Sequence, residues 1–575
     1  MIVYGDFERR EDAADVKACV AKALRHAGRL PAGIDRHAAL VGAFTRAAEL
    51  VQGIADAEFG RRGRDLRSAP QSSGARLLLK MAEAIDLSWT NTRAEAADHG
   101  TLVLLLQEIH FDGLIKTRTG EGFAHYALYP ESYLEAARSS GLAANSCVIG
   151  IRSIGIGLGA LVAAALHAAP AISVRPVGHP FDRKIHADRD LLEEKVVDRS
   201  VAFAIVDEGP GLSGSSFASV ARWLLEQGVE THRIHFFPSH EGQPGSSASP
   251  ETRAIWDCVT HHPASRHDIV FHSRGLRHWV GEKIGPVDGD LRDLSCDRVM
   301  AAPVCPPEDG RFARRKLIAH AAGSRWLVKF AGLGDVGQRK FHDASRLAAA
   351  GFGPETVALC HGFIVQKWVE GRPLDESCVD RNAFLRRLGD YLAFRARRLG
   401  GSGPGASLQK LGEMAMHNAA QALGTEAAAL LERRLASLDV LHDRVRPIRS
   451  DNRLHAWEWL ITPGSILKLD GLDHCEGHDL IGCQDIAWDV AGAIVEHGLE
   501  HREVVALCRR VQAAGGATPD PDLIFGLLPC YLAFQLGLWA TATPAGPRAK
   551  ALANTYEESL VRCLRSDICG TPVRD

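Results

Sequence analysis

The thirteen cysteines of this 575-residue chain include no CxxC pair and no closely spaced framework. That argues against a small disulfide-stapled secreted domain. The opening residues, MIVYGDFERREDAADV, lack the apolar run of a signal peptide, so a reducing cytoplasm is the expected compartment. Strong net charge is missing as well: 67 Lys and Arg against 70 Asp and Glu leave -3. The chain as a whole therefore attracts neither nucleic acid nor an anionic membrane, and phosphate binding has to come from local sites. The long apolar stretch Val148–Ala169 is broken by Gly150, Arg152, Gly155, Gly157 and Gly159, which reads as strand, glycine-rich turn and helix rather than a membrane span. No period of about 20–50 residues repeats and no low-complexity tract occurs.

What is present is an ordinary globular composition, 46% hydrophobic and 24% charged, in a chain too long for one core at roughly 100–200 residues per domain. Residues 1–100 carry Ala- and Leu-rich segments at helical spacing (AADVKACVAKALRHA, HAALVGAFTRAAELVQGIADAEF, ARLLLKMAEAIDL) and are expected to form a helical region packed on the adjoining domain. Residues 101–245 alternate apolar β-rich runs with helical patterns, beginning with a strand at LVLLLQEI, which predicts a parallel sheet wound by helices. Residues 246–304, polar and rich in Ser, Pro, His and Asp, read as a partly structured connector. Residues 305–575 open a second rhythm.

In Ala202-Phe-Ala-Ile-Val-Asp207-Glu208-Gly-Pro-Gly-Leu-Ser213-Gly214-Ser215-Ser216 a buried strand runs into two acids, then a Gly/Ser loop, then a helix. Loop N–H groups and the helix N-terminus suit a phosphate, and small residues let the backbone approach it. The acids can accept hydrogen bonds from ribose hydroxyls at the carboxyl end of a sheet strand, where open α/β folds bind ligands.

This arrangement resembles the motif by which type I phosphoribosyltransferases bind 5-phosphoribosyl-1-diphosphate (PRPP). The resemblance implies that Asp207 and Glu208 hold the ribose hydroxyls, while Ser213, Gly214, Ser215 and Ser216 cradle the 5-phosphate. It further implies that Arg152 and Ser153, on the turn after CVIGI, contact pyrophosphate under a basic hood of Arg175, Arg183, Lys184 and His186. The sequence departs from the family in its Gly-Pro-Gly after the acids. The aromatics Phe123, Tyr126, Tyr129 and Tyr133 read as core, with stacking on a base as the alternative.

Farther on, SRWLVKFAGLG, RKFHDASRLAAAGFGPE and HGFIVQKWVEGRPL resemble the N-lobe and hinge of aminoglycoside-phosphotransferase and choline-kinase-like enzymes. The resemblance implies an α+β two-lobed domain in which Lys329 contacts ATP phosphates, oriented by Asp343, and Asp470 holds Mg²⁺, with Asp485 and Asp489 as buttresses. At the catalytic loop the pattern departs. Aligning Leu454-His455 puts Arg453 where the family has its base Asp and Glu458 where it has a metal-binding Asn. Three accounts stay open: Asp451 or Asp473 serves as base, Glu458 takes over metal binding, or the lobe binds without catalysing. The group His474, Cys475, His478, Cys483 fits no structural-zinc spacing.

The expectation is thus a phosphoribosyltransferase-type α/β domain with a helical extension, fused to a kinase-like domain. It would be a bifunctional small-molecule enzyme using PRPP as donor, with ATP and Mg²⁺, and by family resemblance a homodimer. The alternative is a regulatory protein that binds PRPP or nucleotide without turnover. A weaker third reading is a hydrolase of nucleotide-like compounds.

Overall fold

Alanine and leucine at helical spacing produce three long helices, Ala13–Arg29, Ile34–Arg62 and Ala69–Thr90. The first is capped by Asp12, whose carboxylate accepts the N–H of Ala14 at 2.8 Å. The second ends on Gly63, in the left-handed region at φ +71, a conformation glycine adopts without the penalty of a Cβ. The computed structural model describes residues 1–5, 8–90, 99–265, 269, 275–294, 314–377, 379–401, 403, 405–475, 477, 479–542 and 546–565.

The LVLLLQEI segment is not a strand. It forms the helix His99–Gln107, burying Leu102 and Leu106, one helical turn apart, while Leu104 stays 63% exposed. A strand would have put all three leucines on one face; contact with the helices Ala13–Arg29 and Ala69–Thr90 selects the period of four instead.

The parallel sheet has the order Ile172–Val174, Cys147–Ile151, Phe203–Val206, Ile234–Phe237, Thr260–His261, every pair parallel. Its central strands CVIGI and FAIV are wholly buried, as expected when both faces are covered. The helix Gly155–Ala165 covers one face, and its entry passes so close to the sheet that a Cβ on Gly150 would lie 2.2 Å from the Gly155 carbonyl oxygen. A hairpin, Pro176–His179 with Asp182–Ile185, folds against the helix Ser215–Glu226.

Where it is described, the connector is structured. It contributes the helix Pro250–Cys258 and the fifth strand of the parallel sheet, then the helix Leu276–Ile284 and an edge strand, Arg292–Asp293, of the next sheet. Trp256 is 3% exposed and packs its ring on Phe217 and Phe236, so the apolar residues scattered in this polar stretch are core. Residues 295–304 lie outside the described residues.

An antiparallel sheet follows, ordered Arg292–Asp293, Lys316–Ala321, Ser324–Phe330, Phe363–Lys367, Thr356–Cys360, with the helix Gly334–Ala349 beside it. The remainder is mostly helical around a small sheet of Arg372–Pro373, Trp459–Ile461 and Ile466–Lys468. The architecture is therefore mixed α/β, with a five-stranded parallel sheet, a five-stranded antiparallel sheet and smaller sheets beside them. One continuous apolar core joins the N-terminal helices, one face of the parallel sheet and the antiparallel sheet, while a second fills the C-terminal helical part. Among the described residues the helix Pro521–Ala542 alone is long and apolar enough to cross a membrane, with mean hydropathy 1.7; 78% of that stretch is buried in the second core.

Replacing Trp256 by Ala is expected to cost about 3–5 kcal/mol, the usual range for emptying a buried aromatic site. A fall in the urea midpoint of the parallel-sheet unit, followed by its far-ultraviolet signal, measures this; a surface connector would show no change.

Candidate functional site

Strand Phe203–Val206 delivers Asp207 and Glu208 to the carboxyl edge of the parallel sheet, half-buried and side by side. Asp207 Oδ1 accepts the N–H of Glu208 at 2.8 Å, and Glu208 Oε2 accepts the N–H of Gly122 at 3.2 Å. Tyr133 anchors the same turn by donating its hydroxyl to the Asp207 carbonyl at 2.8 Å. Burial pushes the Asp207 carboxyl up to about 7, opposed by the Glu208 N–H and the Arg183 and Arg175 cations. Burial pushes Glu208 up to about 8, helped by the negative charges of Glu121 and Asp207. Two adjacent carboxyls with raised affinity for protons thus stand at the start of the Gly/Ser loop.

The loop from Gly209 to Gly214 runs into the helix Ser215–Glu226 with Gly214 in the left-handed region. Ser213 and Ser215 donate their hydroxyls to the Pro180 carbonyl at 3.2 and 2.7 Å. They fasten the hairpin over the loop, so these hydroxyls are engaged and do not serve as anion donors as expected. Ser216 is partly open. Arg183 lies on the hairpin within electrostatic reach of Asp207, whereas the neighbouring Lys184 takes the opposite, exposed side of the strand.

Arg152 departs from its expected role as a pyrophosphate contact. Its side chain is fully enclosed, with Nε on Asp56 Oδ1 at 3.0 Å, Nη1 on Ser173 Oγ at 3.1 Å and Nη2 on Asp65. Arg175 joins the same network through Asp56 and through its N–H on Asp65 Oδ2 at 2.7 Å. Both guanidinium groups are thus spent on the two acids of the helical region; Ser153 alone of that turn pair lines the open cleft. Phe123, Tyr129 and Tyr133 are buried, the core reading, and Tyr126 is half-buried.

The second cluster sits where the antiparallel sheet meets the C-terminal part. Lys329, on strand Ser324–Phe330, contacts Asp470 Oδ1 at 2.8 Å and Asp473 Oδ2 at 2.5 Å. Lys340, from the helix Gly334–Ala349, meets the other oxygen of Asp473 at 2.8 Å. Asp343 does not orient Lys329: it points the other way, to Arg449 at 2.7 Å. Two lysines hold the Asp473 carboxyl well below the usual carboxylate range despite its burial, and Lys329 does the same for Asp470. Asp470 is 19% exposed. Glu458, partly open, has its carboxyl raised by burial and by Asp470, with Lys468 opposing.

Asp451 is not placed to act as a base. Its carboxylate is fully enclosed, accepting the Tyr391 hydroxyl and lying 3.4 Å from Lys468 Nζ and 3.6 Å from Arg395 Nη1. Its N–H and that of Asn452 both donate to Asp489, at 2.8 and 3.0 Å. Asp485 caps the same helix, Ile486–His497, accepting the Ala487 N–H at 2.9 Å. Arg453 is also turned away from the lysines; it lies 5.9 Å over the Trp539 ring, within electrostatic reach of Asp479 and Glu496. His474 stands 3.9 Å from Asp470, Cys475 and Cys483 are buried and form no disulfide, and His478 lies outside the described residues.

Sequence reasoning missed Arg395 and Lys340. Arg395 donates to the carbonyls of Arg449, Ser450 and Gly471 at 2.6–2.8 Å, tying the loop of Asp451 to the loop of Asp470. The signal was faint: one arginine among several in RNAFLRRLGDYLAFRARR, marked only by Tyr391 one turn earlier.

The first cluster borders a cleft of about 710 Å³, lined by Glu208 and Ser153 together with Arg339, Arg449 and Cys475.

No family model and no curated protein matches this chain. Among solved structures it is similar to a choline kinase from Streptococcus pneumoniae, 14% identical, covering 43% of this chain and 89% of that one with a TM-score of 0.33. It is similar to a macrolide 2'-phosphotransferase from Brachybacterium faecium, 20% identical over 47% and 93% of the two chains, TM-score 0.31. An ethanolamine kinase from Plasmodium vivax is 9% identical over 62% and 96%, TM-score 0.34.

The raised acids set a pH dependence. A carboxyl whose folded pKa exceeds its unfolded value stabilises the fold below the unfolded value, near 4, and that stability is lost as pH rises through the folded values of about 7 and 8. The urea midpoint is expected to fall between pH 5 and pH 9, and to fall less in the Asp207→Asn, Glu208→Gln variant; equal slopes would show that these acids titrate normally.

Proposed function

We propose that this chain is a small-molecule transferase with two sites. One takes phosphoribose from PRPP at Asp207 and Glu208; the other binds Mg²⁺–ATP at Lys329 and Asp470 to phosphorylate the product or its precursor. The observation that carries the first site is the placement of two adjacent acids at the carboxyl edge of a parallel strand, directly before a Gly/Ser loop that opens the helix Ser215–Glu226. The acids accept the two ribose hydroxyls, and the loop N–H groups with Ser216 donate to the 5-phosphate. With Arg152 enclosed, pyrophosphate is left to the Ser153 turn and to Arg183 on the hairpin. Arg183 is well placed to meet charge that grows on the leaving group as the ribose becomes cationic.

For the second site, Lys329 provides a phosphate contact, and Asp470 with Glu458 offers carboxylate oxygens of the kind Mg²⁺ prefers. Bound there, the ion would neutralise phosphate charge. A specific observation favours a second reading for this half, binding without transfer. Asp451 is enclosed and Asp473 is bridged by two lysines, so neither is free to accept a proton from an acceptor hydroxyl, and Arg453, in the family's base position, carries no acceptor. Loss of a general base typically lowers a rate by about 10²–10⁴-fold.

Calorimetric titration tests both halves. Mg²⁺–PRPP is expected to bind saturably and to weaken at least about 10-fold in the Asp207→Asn, Glu208→Gln variant, since each lost charge-assisted hydrogen bond is worth about 1.5–3 kcal/mol. Absence of binding to the unaltered chain would refute the first site. Mg²⁺–ATP binding is expected to be lost in Lys329→Ala and kept when Asp343, which points elsewhere, is changed to Asn. Pyrophosphate release with some acceptor separates the transferase from the regulatory reading.

A further inference from the structure

Three side chains from distant parts of the sequence meet in the core between the N-terminal helices and the antiparallel sheet. His37 comes from the helix Ile34–Arg62, Glu131 from the helix Pro130–Ser139, and His361 from the turn between strands Thr356–Cys360 and Phe363–Lys367. Their exposures are 1%, 0% and 3%. Nε2 of His37 lies 2.5 Å and Nε2 of His361 2.9 Å from the same oxygen, Oε1 of Glu131. The other carboxylate oxygen, Oε2, and Nδ1 of His37 are buried with no hydrogen-bond partner. No lysine or arginine among the described residues forms an ion pair with Glu131. Trp89, Trp279 and Tyr129 close the surroundings with aromatic rings.

A carboxylate removed from water, with one oxygen shared by two imidazoles and the other unmet, is costly unless a cation joins it. The donor set, two imidazole nitrogens and a carboxylate, suits a borderline divalent ion. The donor atoms lie within 4.8 Å of one another. Bonds of about 2.0–2.2 Å to such an ion would require the two imidazoles to move back from Oε1 by well under the width of an atom. His361 and Gly362, at φ +40 and +93, form the two-residue turn of the hairpin, where positive φ at both positions is the ordinary geometry; the turn fixes where the His361 imidazole stands.

We propose that His37, Glu131 and His361 form a structural zinc site that clamps the N-terminal helices to the antiparallel sheet. Both imidazole Nε2 atoms and both Glu131 oxygens give four donors, and the aromatic shell leaves the ion no part in chemistry on a substrate.

The test uses the full purified chain. Elemental analysis is expected to find about one zinc per chain. After chelation and dialysis the melting temperature is expected to drop by several degrees and to recover with zinc. Cobalt added instead is expected to give the visible absorption of a low-coordinate site. Substitution His361→Gly removes a ligand while easing the turn; with its circular dichroism confirming the fold, zinc content and the cobalt spectrum are expected to vanish in it. No zinc uptake by the unaltered chain, or uptake unchanged in His361→Gly, overturns the proposal and leaves the trio a hydrogen-bonded staple.

Discussion

A buried guanidinium has five N–H groups to satisfy, and leaving the charge unpaired away from water costs several kcal/mol. Each candidate site rests on one such group. Arg152 closes the end of the strand Cys147–Ile151 onto Asp56 and Asp65, so the floor of the first site cannot shift without opening that network. Arg395 gathers the carbonyls of Arg449, Ser450 and Gly471, so the loops of Asp451 and Asp470 keep one mutual spacing. Neither arginine reaches a ligand. Their work is to make irregular backbone rigid at places where helix and sheet ladders supply no hydrogen bonds.

That division explains what could be read from the sequence. The strand, acids and Gly/Ser loop around Asp207 are contiguous, so local pattern was enough to place them together. The antiparallel strand bearing Lys329 was legible for the same reason. The role of Arg152 was not: its partners lie 96 and 87 residues away on the helical region, and no local pattern distinguishes an arginine aimed at a ligand from one aimed at a helix behind it. Asp343 misled in the same way, sharing a helix with Lys340 but facing Arg449 instead. LVLLLQEI was ambiguous in itself, since leucines two apart also stand four apart; the helices packed around it decided the period. The connector misled through composition, because Trp256 and its neighbours are few among polar residues yet complete the parallel sheet.

The two cores also cut across the division that the sequence suggests. The antiparallel sheet shares its apolar core with the N-terminal helices and the parallel sheet, whereas the C-terminal helices have a core of their own. The seam between cores runs past Lys329 and Asp470, one group on each side. Residues 2–4 cross back over it: Val3 is buried in the second core, and Ile2 is held by Asn418 through both its N–H and its carbonyl.

Lys329 faces a competition set by this placement. Its ammonium is already met by Asp470 and Asp473, and Lys340 satisfies the remaining oxygen of Asp473. An arriving polyphosphate therefore gains Lys329 only by displacing a carboxylate, and Asp470 is the one to move, because Asp473 retains Lys340 when Lys329 leaves it. A divalent cation arriving with the phosphate removes the difficulty, since it supplies Asp470 with a new partner as the lysine turns to the phosphate. On the proposed reading, charge balance in the buried cluster favours a polyphosphate that arrives with a divalent cation over one that arrives alone.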